Sequence, residues 1–356
     1  MIDAALLRLG WTEHFERASE NYIRDGLEPA RVGAQHKGSY ILLSGVGELG
    51  AEISGRLRYL AVHQSDLPVV GDWVIVHRLP GEKKALIHAV LPRVTTFGRK
   101  VAGVVTEEHV LAANVDVYFL VAALDQQFNA RRMERFLTMA WEGGGSPVIV
   151  LTKADLCDDI DAARAAAQEV GPQIDVHITS ASTGAGIGEL RSNLLPHKTG
   201  VFIGPSGVGK SSLVNLMVGH EVLRTEAIRD DGRGRHTTTH RELVMLPEGG
   251  LVIDTPGIRE LQLWDAGPGV DETFTDIRDL AAACRFSDCA HDREPGCAVR
   301  AAVEDGSLAP KRLESYKKLT RELAWLERKR DKRRASEESR RWQKLSREAR
   351  ARSRLR

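Results

Sequence analysis

The sequence predicts a multidomain chain: a small N-terminal β-barrel of the OB-fold type, a central α/β domain, and a small helical C-terminal domain built around clustered cysteines. Three observations predict it. Short apolar stretches punctuated by glycine fill residues 31–92, as small barrels require. Apolar strands alternate with helix-like stretches over residues 107–270, which implies a parallel sheet covered by helices. Cys284, Cys289 and Cys297 fall within 14 residues, a density that favours metal binding over disulfides in a reducing compartment.

At 356 residues, 42% apolar and 28% charged, the chain has an ordinary globular composition and room for two or three cores. No apolar run approaches the ~20 residues of a membrane span. The opening MIDAALLRLGWTEHFE carries Asp3 early and lacks the apolar core of an export signal. The expectation is a cytoplasmic protein with no membrane partner. The formal charge of +1 conceals an asymmetry. Residues 321–356 hold 15 Lys and Arg against 6 Asp and Glu, a net of +9 that leaves the other 320 residues at −8. A basic tail on a mildly acidic body suits a polyanionic partner, and equally a solvated helix.

Residues 1–30 read as a partly helical lead-in. In 31–92 the stretches GSYILL, AEISGRLRYLAV, PVVGDWVIVH and KALIHAVL fit a five-stranded barrel, a shape that often offers a face to RNA. A linker is expected at 93–106. In the central domain the strand VDVYFLVAAL precedes the helical ARRMERFLTMAWEGG, and further strands and helices follow to residue 270. Residues 271–323 form the cysteine-bearing domain, and 324–356 read as a basic helix or tail. Cys157 stands apart and is assigned no role.

Residues 204–211, GPSGVGKS, match the phosphate-loop pattern G-x-x-x-x-G-K-[ST], between an apolar strand and the helix SSLVNLM. Gly204, Gly207 and Gly209, with Pro205, Ser206 and Val208 between them, let backbone N–H groups turn toward phosphates. Lys210 can reach the β- and γ-phosphates, Ser211 can ligate Mg²⁺, and Ser212 continues the helix N-terminus. Downstream, LVIDTPG ends with Asp254 placed to hold Mg²⁺ through water and Gly257 placed to offer an N–H to a γ-phosphate.

The strand PVIVL runs into Thr152-Lys153-Ala154-Asp155. The Asp155 carboxylate matches the two donors on one edge of guanine, a pair adenine lacks. Thr152 stands where Asn is usual, at the position that braces the phosphate loop, so nucleotide affinity is at issue more than base identity. The next strand end supplies Ser180-Ala181, where the Ala181 N–H can donate to guanine O6. The base motifs thus precede the phosphate loop, the reverse of the ordinary order. This is a circular permutation, tolerated when a fold's original ends lie close together. In GRGRHTTTH, residues 232–240, one threonine should reach Mg²⁺. Thr238 is favoured, with Thr237 and Thr239 as neighbours that sequence does not exclude. Ile258 occupies the place of the water-orienting glutamine of Ras-type GTPases. His236 is the nearest polar substitute in sequence, with a plain RNA or solvent contact as the alternative.

Cys284, Cys289, His291 and Cys297 form C-x₄-C-x-H-x₅-C. Three thiolates and an imidazole make a closed tetrahedral set typical of one structural Zn²⁺. The permuted motif order, GRGRHTTTHREL at 232–243 and this cluster together resemble the ribosome small-subunit-dependent GTPase family. The resemblance covers about residues 31–320. It implies an OB-fold, a permuted GTPase domain and a zinc domain, and a role in late maturation of the 30S subunit on 16S rRNA. The chain would act as a monomer with GTP and Mg²⁺. Two other readings stay open: an RNA-binding module in which GTP only switches affinity, and a P-loop ATPase or kinase, which T-K-x-D and D-x-x-G disfavour.

Overall fold

A computed structural model of the chain describes residues 3–36, 38–61, 63–100, 108–125, 128–220, 241–254 and 268–324. The chain divides into two compact units, Met1–Gln262 and Leu263–Arg356, so the division falls inside the stretch expected as the central domain.

In the first unit, β1 (Glu28–Gln35), β2 (Tyr40–Ser44), β3 (Gly47–Ile53), β4 (Trp73–Arg78) and β5 (Lys84–Val90) form the barrel. Their order, β1-β2-β3-β5-β4, is closed by pairing of β4 back onto β1. Only the β3–β5 contact is parallel. It needs a crossover, which the helix Gly55–Leu60 begins, capped by the Ser54 hydroxyl on the Leu57 N–H. Alternate strand residues point inward, as a strand's period of two dictates. Val32, Leu42, Leu49, Val74, Val76 and Ile87 fill the interior. The lead-in folds as helices Ala4–Arg8 and Glu13–Arg24. It docks through Trp11 and Phe15 onto Trp73, with ring centroids 4.6 and 5.8 Å apart.

The expected linker is not a free connection. It carries β6 (Thr96–Lys100), which pairs with β7 (Glu108–Ala113). Its start is fixed by Arg93, whose guanidinium donates to both oxygens of buried Asp72 at 2.8 and 2.7 Å and to the carbonyls of Ser65 and Leu67.

The central sheet runs β10 (Val176–Ile178), β9 (Ser146–Thr152), β8 (Val117–Ala123), β11 (Thr199–Ile203), β13 (Leu251–Asp254), β12 (Glu242–Met245). All but β12 are parallel. β8 and β11 are buried almost throughout, which explains their continuous apolar sequences. Phe119 and Phe202 stack at 4.7 Å. They share one core with residues of the helices Ile187–Ser192 and Lys210–Val218. A single bridge, Ala34 to Glu242, joins β12 to the barrel strand β1.

Arg31, 2% exposed, fastens the unit at its centre. Its guanidinium donates to the carbonyls of Leu9 in the lead-in, Gly71 in the barrel and Asn114 at the head of the central domain. Burial lowers its pKa to about 10, against the pull of Asp116 and Asp72, so it remains charged at neutral pH. Gly71 is at φ +90°, and a Cβ there would lie 2.1 Å from the Ala113 carbonyl oxygen. The two domains meet backbone to backbone at that point.

In the second unit the helices Pro268–Thr273, Thr275–Ala281 and Ala298–Glu304 are followed by a helix over 310–324. Phe274, Ile277, Val299 and Leu323 are fully or nearly buried. Arg312 lies 4.5 Å over the Phe274 ring and holds Asp276 through two hydrogen bonds. Among the described residues no helix is long and apolar enough to cross a membrane.

Arg31→Leu should destabilise the first unit by about 3–5 kcal/mol, because it leaves three buried carbonyls and two acids without their shared cation. Arg31→Lys should recover little of this, since an ammonium lacks the planar fork. Urea unfolding followed by the fluorescence of adjacent Trp11 and Trp73 measures both.

Candidate functional site

The candidate residues gather where the sheet's topology places them. In an open parallel sheet the loops that follow the strands' carboxyl ends line a crevice suited to ligands. Lys153 and Asp155 follow β9, Ser180 and Ala181 follow β10, residues 204–211 follow β11, and Asp254 closes β13. Chain order is irrelevant to this gathering.

The phosphate loop turns on two left-handed residues, Gly207 at φ +79° and Gly209 at φ +94°, which only glycine adopts without strain. Gly204 presses on the neighbouring strand β8, where a Cβ would sit 2.6 Å from the Val121 carbonyl. Gly209 is the N-cap of the helix Lys210–Val218, so the loop delivers its N–H groups and the helix's positive end to one point. Lys210 Nζ arches back to the carbonyls of Gly204 and Pro205 at 2.8 and 2.6 Å. Ser211 and Ser212 are half-buried in the first helical turn, Ser206 is exposed, and Val208 is buried beneath the loop.

Thr152 reaches the phosphate loop. Its hydroxyl, buried, donates to the Val208 carbonyl at 2.6 Å. Threonine therefore makes a brace from the base motif to the phosphate loop in place of asparagine. Lys153 takes a left-handed conformation, φ +58° and ψ +40°, and its ammonium pairs with Asp125 at 2.5 Å. The Ala154 N–H donates to the Thr179 carbonyl at 3.1 Å, joining the two base motifs. Ser180 donates to Asp155 Oδ1 at 2.5 Å. The hydroxyls of Ser180 and then Ser182 hold the Asp155 carboxyl below the usual carboxylate range. It stands ionised at neutral pH, an acceptor on both oxygens.

Sequence reasoning missed two supporting residues. Asp125 aims Lys153, and its only signal was an acid just past an apolar strand. Arg191 donates to the Met217 and Leu216 carbonyls at 3.0 and 2.8 Å, satisfying the end of the phosphate-loop helix; nothing local in the sequence indicates it. His236, Thr238, Gly257, Ile258 and the basic tail lie outside the described residues.

In the second unit, the sulfurs of Cys284, Cys289 and Cys297 and a ring nitrogen of His291 all lie within 4.8 Å of one another. His291 Nδ1 is 3.7 Å from Cys284 Sγ and 3.5 Å from Cys297 Sγ, and those two sulfurs are 3.9 Å apart. Tetrahedral zinc at ordinary bond lengths spaces its ligand atoms by roughly 3.6–3.8 Å. The donor set fits such an ion. Burial pushes the Cys284 thiol up, but the N–H groups of Val299 and Ala298 outweigh it and hold its pKa below the ordinary value. Burial, then Lys317, lowers the His291 pKa, favouring the neutral imidazole a metal needs.

The loop around the cluster is held by two more residues that the motif did not reveal. Glu294 accepts from the N–H groups of Ala290, Asp292 and Arg293, and backbone hydrogen bonding brings its pKa down to about 2. Lys317, on the last described helix, donates to the His291 carbonyl at 2.6 Å and to Asp292 at 2.7 Å.

Thr152→Val should weaken GDP and GTP binding alike, by roughly 5- to 10-fold, since a buried carbonyl loses its donor. Thr152→Asn should retain most of the affinity. Titration of a fluorescent GDP analogue reads the difference.

The comparisons with known proteins agree with this geometry. The model of the RsgA GTPase family matches residues 90–264. The chain is 46% identical over 360 residues to the small ribosomal subunit biogenesis GTPase RsgA of Opitutus terrae, covering 98% of each chain. It is 44% identical over 319 residues to the small ribosomal subunit biogenesis GTPase RsgA 1 of Oceanobacillus iheyensis, with 89% and 91% covered. Among solved structures, YjeQ from Thermotoga maritima matches at 30% identity and a TM-score of 0.64, over 84% of this chain and 99% of that one. YloQ, described as a circularly permuted GTPase, matches at 28% identity and a TM-score of 0.63, over 84% and 95%. With a base-reading half that precedes its phosphate loop and near-full-length identity to these relatives, the chain belongs to the RsgA GTPase family.

Proposed function

We propose that this chain hydrolyses GTP as a late maturation factor of the small (30S) ribosomal subunit, and that the subunit stimulates the hydrolysis. The observation that carries the reading is the joining of base motif and phosphate loop through Thr152 and Val208. It occurs in a chain 46% identical, end to end, to a small ribosomal subunit biogenesis GTPase.

In this reading Asp155 accepts from guanine N1 and N2, and the Ala181 N–H donates to O6. Lys153 packs along the base. The N–H groups of 204–211 and the Lys210 ammonium hold the phosphates, and Gly257 contacts the γ-phosphate. Ser211, Thr238 and Asp254 would hold Mg²⁺, which would supply charge neutralisation to the phosphates when bound. With isoleucine at 258, the attacking water falls to His236 or to a group of the rRNA. Zn²⁺, held by Cys284, Cys289, His291 and Cys297, is structural, since four protein ligands leave no open position. The barrel, the zinc domain and the basic tail grip 16S rRNA. The protein works as a cytoplasmic monomer. The proposed domains are 31–92 for the barrel, 107–270 for the GTPase and 271–323 for the zinc domain, with the division between the compact units, at 262/263, falling inside the GTPase span.

Turnover by the isolated protein should be slow, on the order of 10⁻²–10⁻⁴ s⁻¹, as where a GTPase lacks its activator. Purified 30S particles should raise it strongly and 50S particles little. His236→Ala should remove most of the stimulated rate with GTP affinity nearly unchanged, the signature of a group acting in the transition state. Equal stimulation of mutant and wild type would assign the water to another group, and no stimulation by 30S would reject the reading.

One zinc per chain should be found by metal analysis. Cys289→Ser should lose it together with the fold of the second unit, because an incomplete set cannot repay the ordering of a small core. Nucleotide binding should survive that substitution.

A further inference from the structure

We propose that Arg285 and Phe286, between the first two cysteines of the cluster, form a platform on which one unpaired RNA base stacks; the proposal rests on the ribosomal-RNA partner proposed above. Phe286 is 41% exposed although its ring gains nothing polar from water. The Arg285 guanidinium lies over the ring, 5.5 Å from its centroid. An exposed aromatic by itself needs no explanation. Here the ring is already paired with a guanidinium, and the backbone beneath both is fixed. The Arg285 N–H donates to the Gly296 carbonyl at 3.1 Å, and the Phe286 carbonyl accepts from Cys289 at 3.3 Å. Gly296, at φ +73°, passes so close that a Cβ would stand 3.1 Å from the Arg285 Cβ. The backbone of the turn that presents the two side chains is thus held by these contacts.

Two further facts select a single base as the occupant. Among the described residues of this unit, Phe286 is the only large apolar side chain that is exposed. A protein interface would need a contiguous patch around such an anchor, whereas one flat ring is matched by one flat base. Residues 268–324 carry 9 Lys and Arg against 11 Asp and Glu, so the net charge of this segment offers no general attraction for phosphates. What remains is stacking on an aromatic ring and a guanidinium plane, the mode by which unpaired bases are recognised.

The test uses the full-length, zinc-loaded protein and purified 30S subunits with a non-hydrolysable GTP analogue. Phe286→Leu, which keeps apolar bulk without a π-face, should weaken binding by roughly 5- to 100-fold, the range for one lost base stack. The salt dependence should stay unchanged, because no phosphate contact is lost. Phe286→Tyr should bind as the wild type does. Zinc content and GDP affinity should be the same in all three, which separates a lost contact from a lost fold. Ultraviolet crosslinking of the wild-type complex should attach the peptide around Phe286 to an rRNA nucleotide. Wild-type binding by Phe286→Leu would overturn the platform, as would a crosslink from this peptide to a ribosomal protein. Failure of the wild-type protein to bind 30S subunits at all would instead overturn the function on which the platform rests.

Discussion

A buried guanidinium holds the first unit together. Arg31 sits where the lead-in, the barrel and the central domain meet, and it donates to one backbone carbonyl of each. Such carbonyls cannot be left bare in a dry interior. The Gly71 carbonyl also accepts from the Asn114 side-chain amide at 3.1 Å. The charge is tolerated because Asp72 and Asp116 lie near enough to oppose its desolvation. Asp72 is in turn satisfied by Arg93 and the Val69 N–H. Arg31 thus lies in one buried charge cluster with the Asp72–Arg93 pair and Asp116.

That junction decides how the barrel relates to the nucleotide crevice. β1 supplies Arg31, closes the barrel against β4 and bridges to β12. β12 lies antiparallel to β13, the strand that ends in Asp254. The barrel is thus linked through hydrogen-bonded strands to the strand that ends in Asp254.

The crevice shows why a permuted chain can keep its site. The described candidate groups of the crevice lie at or just past the carboxyl ends of parallel strands, and such ends share one edge of the sheet whatever their order along the chain. The contacts that join the groups are long-range. Thr152 reaches Val208 across 56 residues, and Ser180 reaches Asp155 across 25. These bonds bring together groups that lie far apart along the chain. In the second unit a comparable task falls to the Cys₃His cluster, with Glu294 and Lys317 shaping its loop.

The sequence by itself determined the barrel, the parallel sheet, the phosphate loop and the metal-ligand set. Each is written in local patterns: a period of two with glycine turns, continuous apolar strands, a glycine-rich loop between strand and helix, and cysteines at ligand spacing. Motif order alone disclosed the permutation. Only the tertiary structure decided that residues 93–100 are anchored rather than a linker, since Arg93 finds Asp72 across 21 residues. The same holds for the Thr152 brace, for Asp125 beside Lys153, for Arg191 on the phosphate-loop helix, and for Arg31 at the junction. Each of these depends on a polar group meeting a partner far away along the chain. The residue type says that a donor or acceptor must be satisfied, but only the fold says by which distant group.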